Sequence, residues 1–552
     1  MLAKRNRYKF NTEFLQGLSV DEVAGGWRVK SQPSIRVPFR GRRFYRHGWQ
    51  SWSFSGWLSA GHTFPTPPSH PMAIRMNEDL PYASWLDRVS AGVAMLEDEH
   101  GNALLLGAAD PGGRVFYEEN ALRGAYEEGS GDWFIATGAT DSLLEAYARF
   151  LQTRYGAPRH AEALRVWCSW YSLYYFITQP VLLQVLEAFS NLPFDVFQID
   201  DGWQQAVGDW QPNQKFPAGM DGLAHRIHAT GRMAGLWLAP FLVHERSRLF
   251  REHPEWLLRD PEGQPLLAAR NWGGRVYALD VTQTAVQDWL VALMRQVRRW
   301  GYEYVKLDFL YAAALPAQRQ REMPREQAYR LGLEILRYGL GDAFLLACGA
   351  PILPLLGLCD AIRISPDVAS YWQNLPYQRV SGNSAPGLQN ALYTSLHRLW
   401  LRPLVHLDPD VAYFRRRFLH LSERQQNLQR DLAWICGYRA TSDLPWWLTP
   451  AEREALRAFW THQPQVQREG AYRFLLENRP VDFTPVLQAP PRLPLPSPLA
   501  SHLGFLQDAF WLGGPRPSLL FAIMTCLAGK SDVFKVLCRP QSNVISPSCF
   551  CL

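Results

Sequence analysis

Two charged side chains share one face of a short predicted strand. Residues 304–308 read Tyr-Val-Lys-Leu-Asp, so Tyr304, Lys306 and Asp308 point the same way. Lys and Asp are seldom buried unless they are paired. One interpretation is a structural ion pair; the other is that Lys306 keeps Asp308 ionised and oriented as a nucleophile. Lysine makes up only seven of the 57 basic residues, and Lys306 is the only one between positions 215 and 530, which favours a specific role.

A second isolated carboxylate, Asp367, follows another apolar run. It comes directly after Pro366, beyond the run that starts at residue 360, where it can lean over the end of a strand. Arg363 in the same run is placed to hydrogen-bond Asp367 or a substrate hydroxyl. An Asp after Ser-Pro is also a common turn residue, so residue chemistry alone leaves both a turn and a catalytic role open.

A pair of adjacent carboxylates, Asp200 and Asp201, ends a third apolar run. Neighbouring strand residues point to opposite faces, so a turn must begin there if both are to reach one ligand. Gly202 permits such a turn; the alternative is a solvated loop with an Asx turn. Trp237 lies in the otherwise aliphatic run Gly-Leu-Trp-Leu-Ala, as either a core residue or the aromatic wall of a sugar site.

Together these residues predict cleavage of a glycosidic bond. That reaction needs one carboxylic acid with a raised pKa, one carboxylate kept ionised, and no cofactor. The chain has no metal-ligand spacing and no dinucleotide-binding glycine motif, so we expect neither a metal nor another cofactor. The 22 Trp and 13% aromatic residues favour a carbohydrate ligand, because flat rings pack on the C–H faces of sugars, although most Trp fill cores.

Short apolar runs that alternate with amphipathic stretches predict an α/β fold, a (β/α)8 barrel, over residues 161–447. Eight candidate strands begin near residues 166, 194, 233, 303, 343, 360, 403 and 432. The reactive groups of such barrels lie at the carboxyl ends of the strands, where the residues above fall.

The rest of the chain divides into four further parts. Residues 1–140 predict an N-terminal antiparallel β-sandwich, residues 141–160 a linker helix, and residues 448–484 a small C-terminal helix and β region whose helix is capped by Thr449. Residues 485–552 form a Pro-rich tail, in which six Pro between 485 and 498 argue against any helix or central strand.

Composition argues against other classes of protein. The net charge of +6 is small for 552 residues, which disfavours nucleic-acid binding. No apolar run reaches 18 residues, and none follows the basic N-terminus, so we expect no membrane span or leader. Cys168, Cys348, Cys359 and Cys436 lie in apolar runs and are interpreted as reduced core thiols. We therefore expect a cytoplasmic protein.

The sequence around these residues resembles the α-galactosidases of glycoside hydrolase family 36. The similar blocks follow the order of the family and lie at residues 198–204, 208–210, 215–220, 235–241, 253–256, 277–280, 306–309, 348–351 and 363–367. Upstream, His47-Gly-Trp-Gln-Ser-Trp-Ser is similar to a block of the family's N-terminal β domain, whose loop can reach over the pocket.

The resemblance implies a retaining α-galactosidase with a covalent galactosyl-enzyme. Asp308 matches the nucleophile and Asp367 the acid/base, while Asp200 and Asp201 match the pair that binds O4 and O6 of galactose. The other positions expected to contact the sugar are Trp237, Lys306, Arg363, Trp170, Tyr171, Cys348 and Trp49. For Cys348, a role as a core thiol fits equally well.

Other functions stay open from the sequence. Within the family they are transfer to a sugar acceptor and hydrolysis of α-N-acetylgalactosaminides; outside it, a sugar-binding protein that has lost activity. The expected partner is a small carbohydrate of the melibiose or raffinose type, with no nucleic acid or membrane, and a homo-oligomer is left open. The N-terminal β region is short for the family, and the residues beyond 485 match nothing in it.

Overall fold

The N-terminal domain is an antiparallel β-sandwich, as predicted. The computed structural model describes residues 15–59 and 67–488. The strands of this domain are β1 Val20–Val23, β2 Gly26–Gln32, β3 Ser34–Pro38, β4 Arg43–Arg46, β5 Gly56–Ser59, β6 Val89–Ala91, β7 Val93–Glu97, β8 Ala103–Ala108, β9 Gly113–Glu118, β10 Ala121–Tyr126 and β11 Gly131–Gly138. They form two sheets, β1-β2-β11-β8-β7-β4-β5 and β3-β10-β9-β6. Val37 and Leu106 are among the residues that both sheets bury in one shared core.

Two helices accompany the sandwich. Helix α1 spans Pro71–Asn77, and helix α2 spans Thr140–Tyr155 and leads into the next domain. Met72 and Met76 on α1 and Leu143 and Tyr147 on α2 are buried in the large core that continues into that domain. The large core therefore extends across both domains, and the core between the two sheets of the sandwich is separate from it.

The second domain is a nearly closed parallel barrel, which confirms the predicted fold class. Its strands and those of its loops are β12 Arg165–Cys168, β13 Val196–Ile199, β14 Gln204–Ala206, β15 Asp209–Pro212, β16 Met233–Leu238, β17 Leu242–His244, β18 Leu267–Asn271, β19 Gly274–Ala278, β20 Tyr302–Leu307, β21 Phe344–Ala347, β22 Ala361–Arg363, β23 His406–Asp408 and β24 Arg439–Thr441. Eight of these pair in the order β23-β22-β21-β20-β16-β13-β12-β24, all parallel. Two isolated parallel bridges, from Leu407 to Gly437 and from Val411 to Ala440, link the outermost strands through residues in or next to them.

Helices alternate with these strands as the βα pattern requires. They are α3 Trp170–Leu173, α4 Gln179–Ala188, α5 Gly219–His228, α6 Arg248–Glu252, α7 Thr284–Arg299, α8 Arg325–Leu340, α9 Leu375–Ser381, α10 Leu388–Leu396 and α11 Glu423–Cys436. Short 3-10 helices span Leu80–Trp85, Tyr174–Phe176, Pro254–Trp256, Leu310–Ala314, Leu353–Leu355, Gly382–Ser384, Leu399–Leu401 and Pro445–Trp447. Within the described residues, no helix is both long enough and apolar enough to cross a membrane.

The eighth strand differs from the prediction. The apolar run at 432–436 is the end of helix α11, and the strand is β24, which comes after it. Ser422 and Gln425 form a capping box at the start of α11, and Gly437 ends it with a φ of +83°. A short apolar run at the buried end of a helix cannot be told from a strand by its periodicity.

The C-terminal region begins with helix α12, Pro450–Thr461, which Thr449 caps by accepting from the Glu452 N–H, as predicted. A three-stranded sheet of β25 Val466–Arg468, β26 Arg473–Leu476 and β27 Arg479–Asp482 follows. The expectation of no helix beyond 485 is wrong at its start. Residues 484–488 form the short helix α13, Thr484–Gln488, because Pro485 stands at its beginning, where no N–H is needed. Residues 489–552 of the predicted tail lie outside the described residues.

A buried network of charged residues joins the sandwich to the barrel. Arg114 contacts Asp79 at 2.6 Å and Glu326 on α8, while Arg325 contacts Asp79 at 2.6 Å and Glu127. Burial would raise the pKa of Glu326, but Arg114 and Arg325 bring it below its ordinary value. Two cations and three carboxylates from both domains thus compensate one another away from water.

Removing one cation from this network tests its contribution to stability. Arg114→Met leaves the buried carboxylates of Asp79 and Glu326 and the partly buried one of Glu127 with Arg325 as their remaining cation, so we expect the free energy of unfolding to fall by about 3–5 kcal/mol in urea titrations. Arg416, an exposed residue that contacts exposed Glu423 at 3.3 Å, is the matched control. Arg416→Met should change stability little, and equal losses in the two variants would contradict the assignment.

Candidate active site

The carboxyl ends of neighbouring barrel strands bring the predicted residues together. Asp200 and Asp201 follow β13, Trp237 lies on β16, and Lys306 lies on β20 just before Asp308. The parallel register pairs Trp237 with Lys306, so these side chains start at the same height of the barrel. All five residues are buried.

The Lys306 ammonium group lies between two of these carboxylates. Its Nζ is 2.9 Å from Oδ2 of Asp200 and 4.0 Å from Oδ2 of Asp308. Burial would lower the pKa of Lys306, but Asp200 and Asp308 hold it well above its ordinary value. The nearer partner is therefore Asp200, whereas the sequence pattern predicted Asp308, because residues on two strands can approach more closely than i and i+2 on one strand.

Asp308 is oriented by two further donors. The Trp237 indole N–H donates to Oδ2 at 3.0 Å, and the Phe309 backbone N–H donates to Oδ1 at 2.8 Å. Phe309 has a φ of +53°, a conformation that costs a bulky residue free energy. This backbone turn places the Phe309 N–H on the carboxylate immediately before it. Asp308 is thus held as a hydrogen-bond acceptor at both oxygens.

Asp200 and Asp201 both enter the site because the chain turns at Gly202. Gly202 has a φ of +115°, and a Cβ there would lie 2.9 Å from Cα of Tyr175, so only glycine fits. Asp200 Oδ2 also accepts from Gln198 Nε2 at 2.7 Å. The two carboxylates are buried and hydrogen-bonded, which excludes the alternative of a solvated loop.

Asp201 accepts hydrogen bonds from Gln204 Nε2 at 2.6 Å and Trp272 Nε1 at 2.7 Å. Burial nevertheless raises the pKa of Asp201 to about 7, although Gln204 and Trp272 act to lower it. Asp201 therefore exchanges its proton near neutral pH, whereas an exposed Asp is fully ionised there.

Trp272 was missed by the sequence reasoning. It begins the two-residue turn between β18 and β19, with a φ of +51°, and Gly273 follows with +72°. Such a turn normally carries Asn, Asp or Gly, so a Trp there is strained and places its indole N–H on Asp201. The Gly273-Gly274 pair signalled the turn in the sequence, but not where the indole would point.

Asp367 lies on the other side of the site. It accepts from Arg363 Nη1 at 3.1 Å, and its side chain is 22% exposed. Burial raises its pKa to about 7, and the charge of Asp410 adds to the rise while Arg363 opposes it. At neutral pH a substantial fraction of Asp367 carries a proton.

Two further carboxylates at this end were also missed. Arg363 contacts Asp408 at 2.9 Å and Asp410 at 2.8 Å as well as Asp367. The Tyr171 hydroxyl donates to Asp410, whose pKa is raised by burial. Both Asp residues end the apolar run of the seventh barrel strand, so the criterion that selected Asp200 would also have found them.

Of the remaining predicted positions, Tyr171, Cys348 and Trp170 lie at the site, whereas Trp49 does not. Tyr171 and Cys348 are buried among the charged residues; burial raises the pKa of each, and the Asp367 charge adds to the rise. Trp170 packs edge-on against Tyr175, with ring centroids 5.0 Å apart. Trp49 lies elsewhere: its indole N–H donates to Glu326 at 2.8 Å, with Arg325 over its ring.

The aromatic residue of the N-terminal block that reaches the site is Trp52. Its ring meets Phe309 at 5.3 Å, next to Asp308, and also lies over Gly349, where a Cβ would come within 2.7 Å of the indole. Since Trp49 is three residues earlier in the same irregular loop, only the folded loop decides which indole faces the carboxylates. Trp52 is thus the indole of this block beside Phe309, whereas Trp49 contacts Glu326.

Arg398 of the barrel holds this loop in place. Fully buried, it donates to the carbonyls of Gly48 (3.3 Å), Gln50 (2.8 Å), Ser51 and Ser53 (2.9 Å). It also donates at 3.0 Å to the carbonyl of Ile364, three residues before Asp367. Burial lowers its pKa to about 9. One guanidinium therefore fixes the Trp52 loop relative to Asp367.

Comparisons with known proteins find sequences and folds similar to this chain. The family model Melibiase matches residues 131–344. The fold is similar to that of an α-galactosidase from Thermus thermophilus solved with p-nitrophenyl α-D-galactopyranoside: 45% identity, 85% of this chain, 96% of that chain and a TM-score of 0.80. A complex of the same enzyme with stachyose gives 46% identity, 80% and 95% coverage, and a TM-score of 0.75.

Curated relatives match over a shorter stretch. α-Galactosidase AgaA from Geobacillus stearothermophilus is 29% identical over 210 residues, which cover 35% of this chain and 28% of that protein. α-Galactosidase 1 from Pediococcus pentosaceus is 28% identical, over 32% of this chain and 25% of its own length. This chain thus spans 28% and 25% of the length of these two curated relatives.

The raised pKa of Asp201 predicts a pH-dependent stability. Its pKa is about 7 in the folded chain, against an ordinary value of 3.8, so between these values the native state holds a proton that the unfolded chain has lost. Stability should therefore fall as pH rises from 4 to 7, by up to about 1.4 kcal/mol per pH unit, and Asp201→Asn should remove this contribution.

Urea unfolding of both proteins at pH 5, 6 and 7 measures the effect. The stability of the unsubstituted protein minus that of Asp201→Asn should decrease steadily as the pH rises. Asp288→Asn, at an exposed position on α7 outside the site, provides the control, and a decrease of the same size in that variant would contradict the assignment to Asp201. A constant difference for Asp201→Asn would show that Asp201 does not hold a proton in this range.

Proposed function

Since this chain belongs to the melibiase family of α-galactosidases, we propose that it is a retaining α-galactosidase that removes terminal α-linked galactose from galacto-oligosaccharides. The observation that carries the proposal is the contrast between Asp308 and Asp367. Asp308 accepts two hydrogen bonds and lies 4.0 Å from Lys306, as a nucleophilic carboxylate should. Asp367 has a pKa of about 7, as an acid that works near neutral pH should.

In the first step, an Asp308 oxygen attacks the anomeric carbon. The bond from that carbon to the glycosidic oxygen breaks, and the Asp367 proton passes to the leaving oxygen, which departs as a hydroxyl group. In the second step, water attacks the same carbon while Asp367 takes a proton from it. The ester bond to Asp308 breaks, so galactose leaves with its original anomeric configuration and both carboxyl groups return to their starting states.

The galactose itself is proposed to bind on the β13 and β20 side. Asp200 and Asp201 supply acceptor oxygens for hydroxyl groups, and the family resemblance implies O4 and O6. Lys306 can donate to a hydroxyl next to Asp200, and Trp237 and Trp272 provide aromatic surface for the C–H faces. The galactosides bound by the Thermus relative lead us to propose aryl α-galactosides and raffinose-type oligosaccharides as substrates.

We also propose that the protein works in the cytoplasm on small soluble sugars. Cys168, Cys348, Cys359 and Cys436 are free and buried, which is compatible with a reducing compartment.

Replacing the nucleophile tests the mechanism directly. Asp308→Asn cannot form the galactosyl ester, so we expect hydrolysis of both p-nitrophenyl α-galactoside and melibiose to be lost, while Asp288→Asn keeps normal rates. Proton NMR of the unsubstituted enzyme should show α-galactose as the first product, with β-galactose appearing only by mutarotation. If β-galactose forms first, or if Asp308→Asn is as active as its control, the assignment is wrong.

The acid gives a separate prediction. Because Asp367 must be protonated to act, kcat/KM should fall as the pH rises through about 7. Asp367→Asn should lower kcat/KM for melibiose by about 10²–10⁴-fold. The loss should be smaller for the p-nitrophenyl substrate, whose leaving group needs little protonation. The variant should also lack the fall in kcat/KM at alkaline pH, the alkaline limb of the profile. An alkaline limb that is unchanged in Asp367→Asn would assign it to another group.

A further inference from the structure

Asp410 is a buried carboxylate that takes no part in the two reaction steps. It follows β23 and has a φ of +78°, in the left-handed region, where Asp is tolerated better than most residues. Its own N–H donates to Asp408 Oδ1 at 2.8 Å, and the Val411 N–H donates to Asp410 Oδ1 at 2.8 Å. This turn occupies Oδ1 of Asp410 and leaves Oδ2 for groups on other elements.

Three groups converge on Oδ2 of Asp410. Arg363 Nη1 lies 2.8 Å away, the Val368 backbone N–H donates at 2.9 Å, and the Tyr171 hydroxyl also donates. Val368 directly follows Asp367, and Arg363 Nη1 is the nitrogen that also donates to Asp367 Oδ1, at 3.1 Å. Asp410 therefore holds the backbone next to the acid and competes with the acid for one guanidinium nitrogen.

We propose that Asp410 is the positioning residue of the acid and that, by occupying Arg363 Nη1, it lets Asp367 keep its proton at neutral pH; the inference rests on the function proposed above. Without Asp410, Nη1 would serve Asp367 alone, and a guanidinium beside a carboxylate favours the ionised form of that carboxylate. Asp408 does not compete in the same way, because it contacts Arg363 through Nε, at 2.9 Å.

Hydrogen bonding decides which of the two carboxyl groups holds the proton. Burial acts to raise the pKa of both Asp367 and Asp410, whereas hydrogen bonds donated to a carboxylate favour its ionised form. Asp410 accepts from two backbone N–H groups and the Tyr171 hydroxyl besides its contact with Arg363. The ionised member is therefore Asp410, and its negative charge adds to the rise in the pKa of Asp367.

Other ionisable groups face this pair from the neighbouring strand ends. Lys306 opposes the rise in the pKa of Asp367, and Asp308 adds to it. The charge of Asp408 acts on the pKa of Asp410 in the same direction as burial. Burial raises the pKa of three further neighbours well above their ordinary values, so these carry no charge near pH 7: Tyr171, Cys348 and Tyr413. Asp410 is set apart by contacting both Arg363 Nη1 and the backbone next to the acid.

The pH dependence of kcat/KM for melibiose tests this role. Asn tolerates a positive φ and has nearly the shape of Asp, so Asp410→Asn removes the charge and keeps the turn. Arg363 Nη1 then serves Asp367 alone, and Asp367 should lose its proton at lower pH. We expect the alkaline limb to move down by about one pH unit, which raises the ratio of kcat/KM at pH 5 to that at pH 8 by about tenfold.

Two further variants separate this role from a loss of structure. Asp410→Glu keeps the charge, so its ratio should lie closer to that of the unsubstituted enzyme than the ratio of Asp410→Asn does. Asp360→Asn is the matched control, since it removes a similarly buried carboxylate that contacts Arg337 at 2.6 Å, just before the other end of β22. It should leave the ratio unchanged, whatever it does to stability.

The outcomes distinguish this inference from the proposed function. An unchanged ratio in Asp410→Asn, or an equal rise in Asp360→Asn, would overturn the role of Asp410. Asp410→Gly, which also accepts a positive φ, is measured if the Asn variant does not fold; failure of both to fold would make Asp410 a structural residue and overturn its role as well. If the unsubstituted enzyme releases no galactose from melibiose, or if Asp367→Asn keeps the alkaline limb, the reaction or its acid was wrongly proposed.

Discussion

The buried ammonium group of Lys306 is the interaction on which the candidate site depends. It lies 2.9 Å from Asp200 and 4.0 Å from Asp308, and these carboxylates end β13 and β20, which flank β16 in the sheet. Buried carboxylates need a cation or several donors close by, so one Lys allows both to stay in a barrel interior. Trp237 on the strand between them adds a donor to Asp308. Without the ammonium, two negative charges would share one desolvated space.

The opposite side of the site has a different electrostatic balance. Arg363 is shared by Asp367, Asp408 and Asp410, so three carboxylates compete for one guanidinium. Burial raises the pKa of Asp367 to about 7, and the negative charge of Asp410 adds to this rise while Arg363 opposes it. Asp308 thus lies near a cation that it shares with Asp200, whereas Asp367 shares its cation with two other carboxylates. This is the kind of asymmetry that a retaining glycosidase requires.

The N-terminal domain contributes to the candidate site as well as to the fold. The charged network around Arg114 and Glu326 joins the domains, and Arg398 holds the loop of residues 48–53 to the strand end before Asp367. Trp52 and residues of helix α1 consequently line a crevice together with Asp367. An error in domain docking of even one ångström would therefore reach the reacting groups.

The sequence by itself determined the fold class and the carboxylates expected to react. Apolar runs that end in Asp, and the alternation of Lys306 with Asp308, are local patterns with a period that sequence reveals. Tertiary structure alone decided that Asp200 is the nearer partner of Lys306, that Trp52 and not Trp49 lies beside Phe309, and that Trp272 contacts Asp201. The three-residue strand β24 has too few residues to show a period, and contacts between distant segments leave no periodic signal. Such contacts depend on strand register, turns with positive φ and domain docking, which are set by packing across the whole chain.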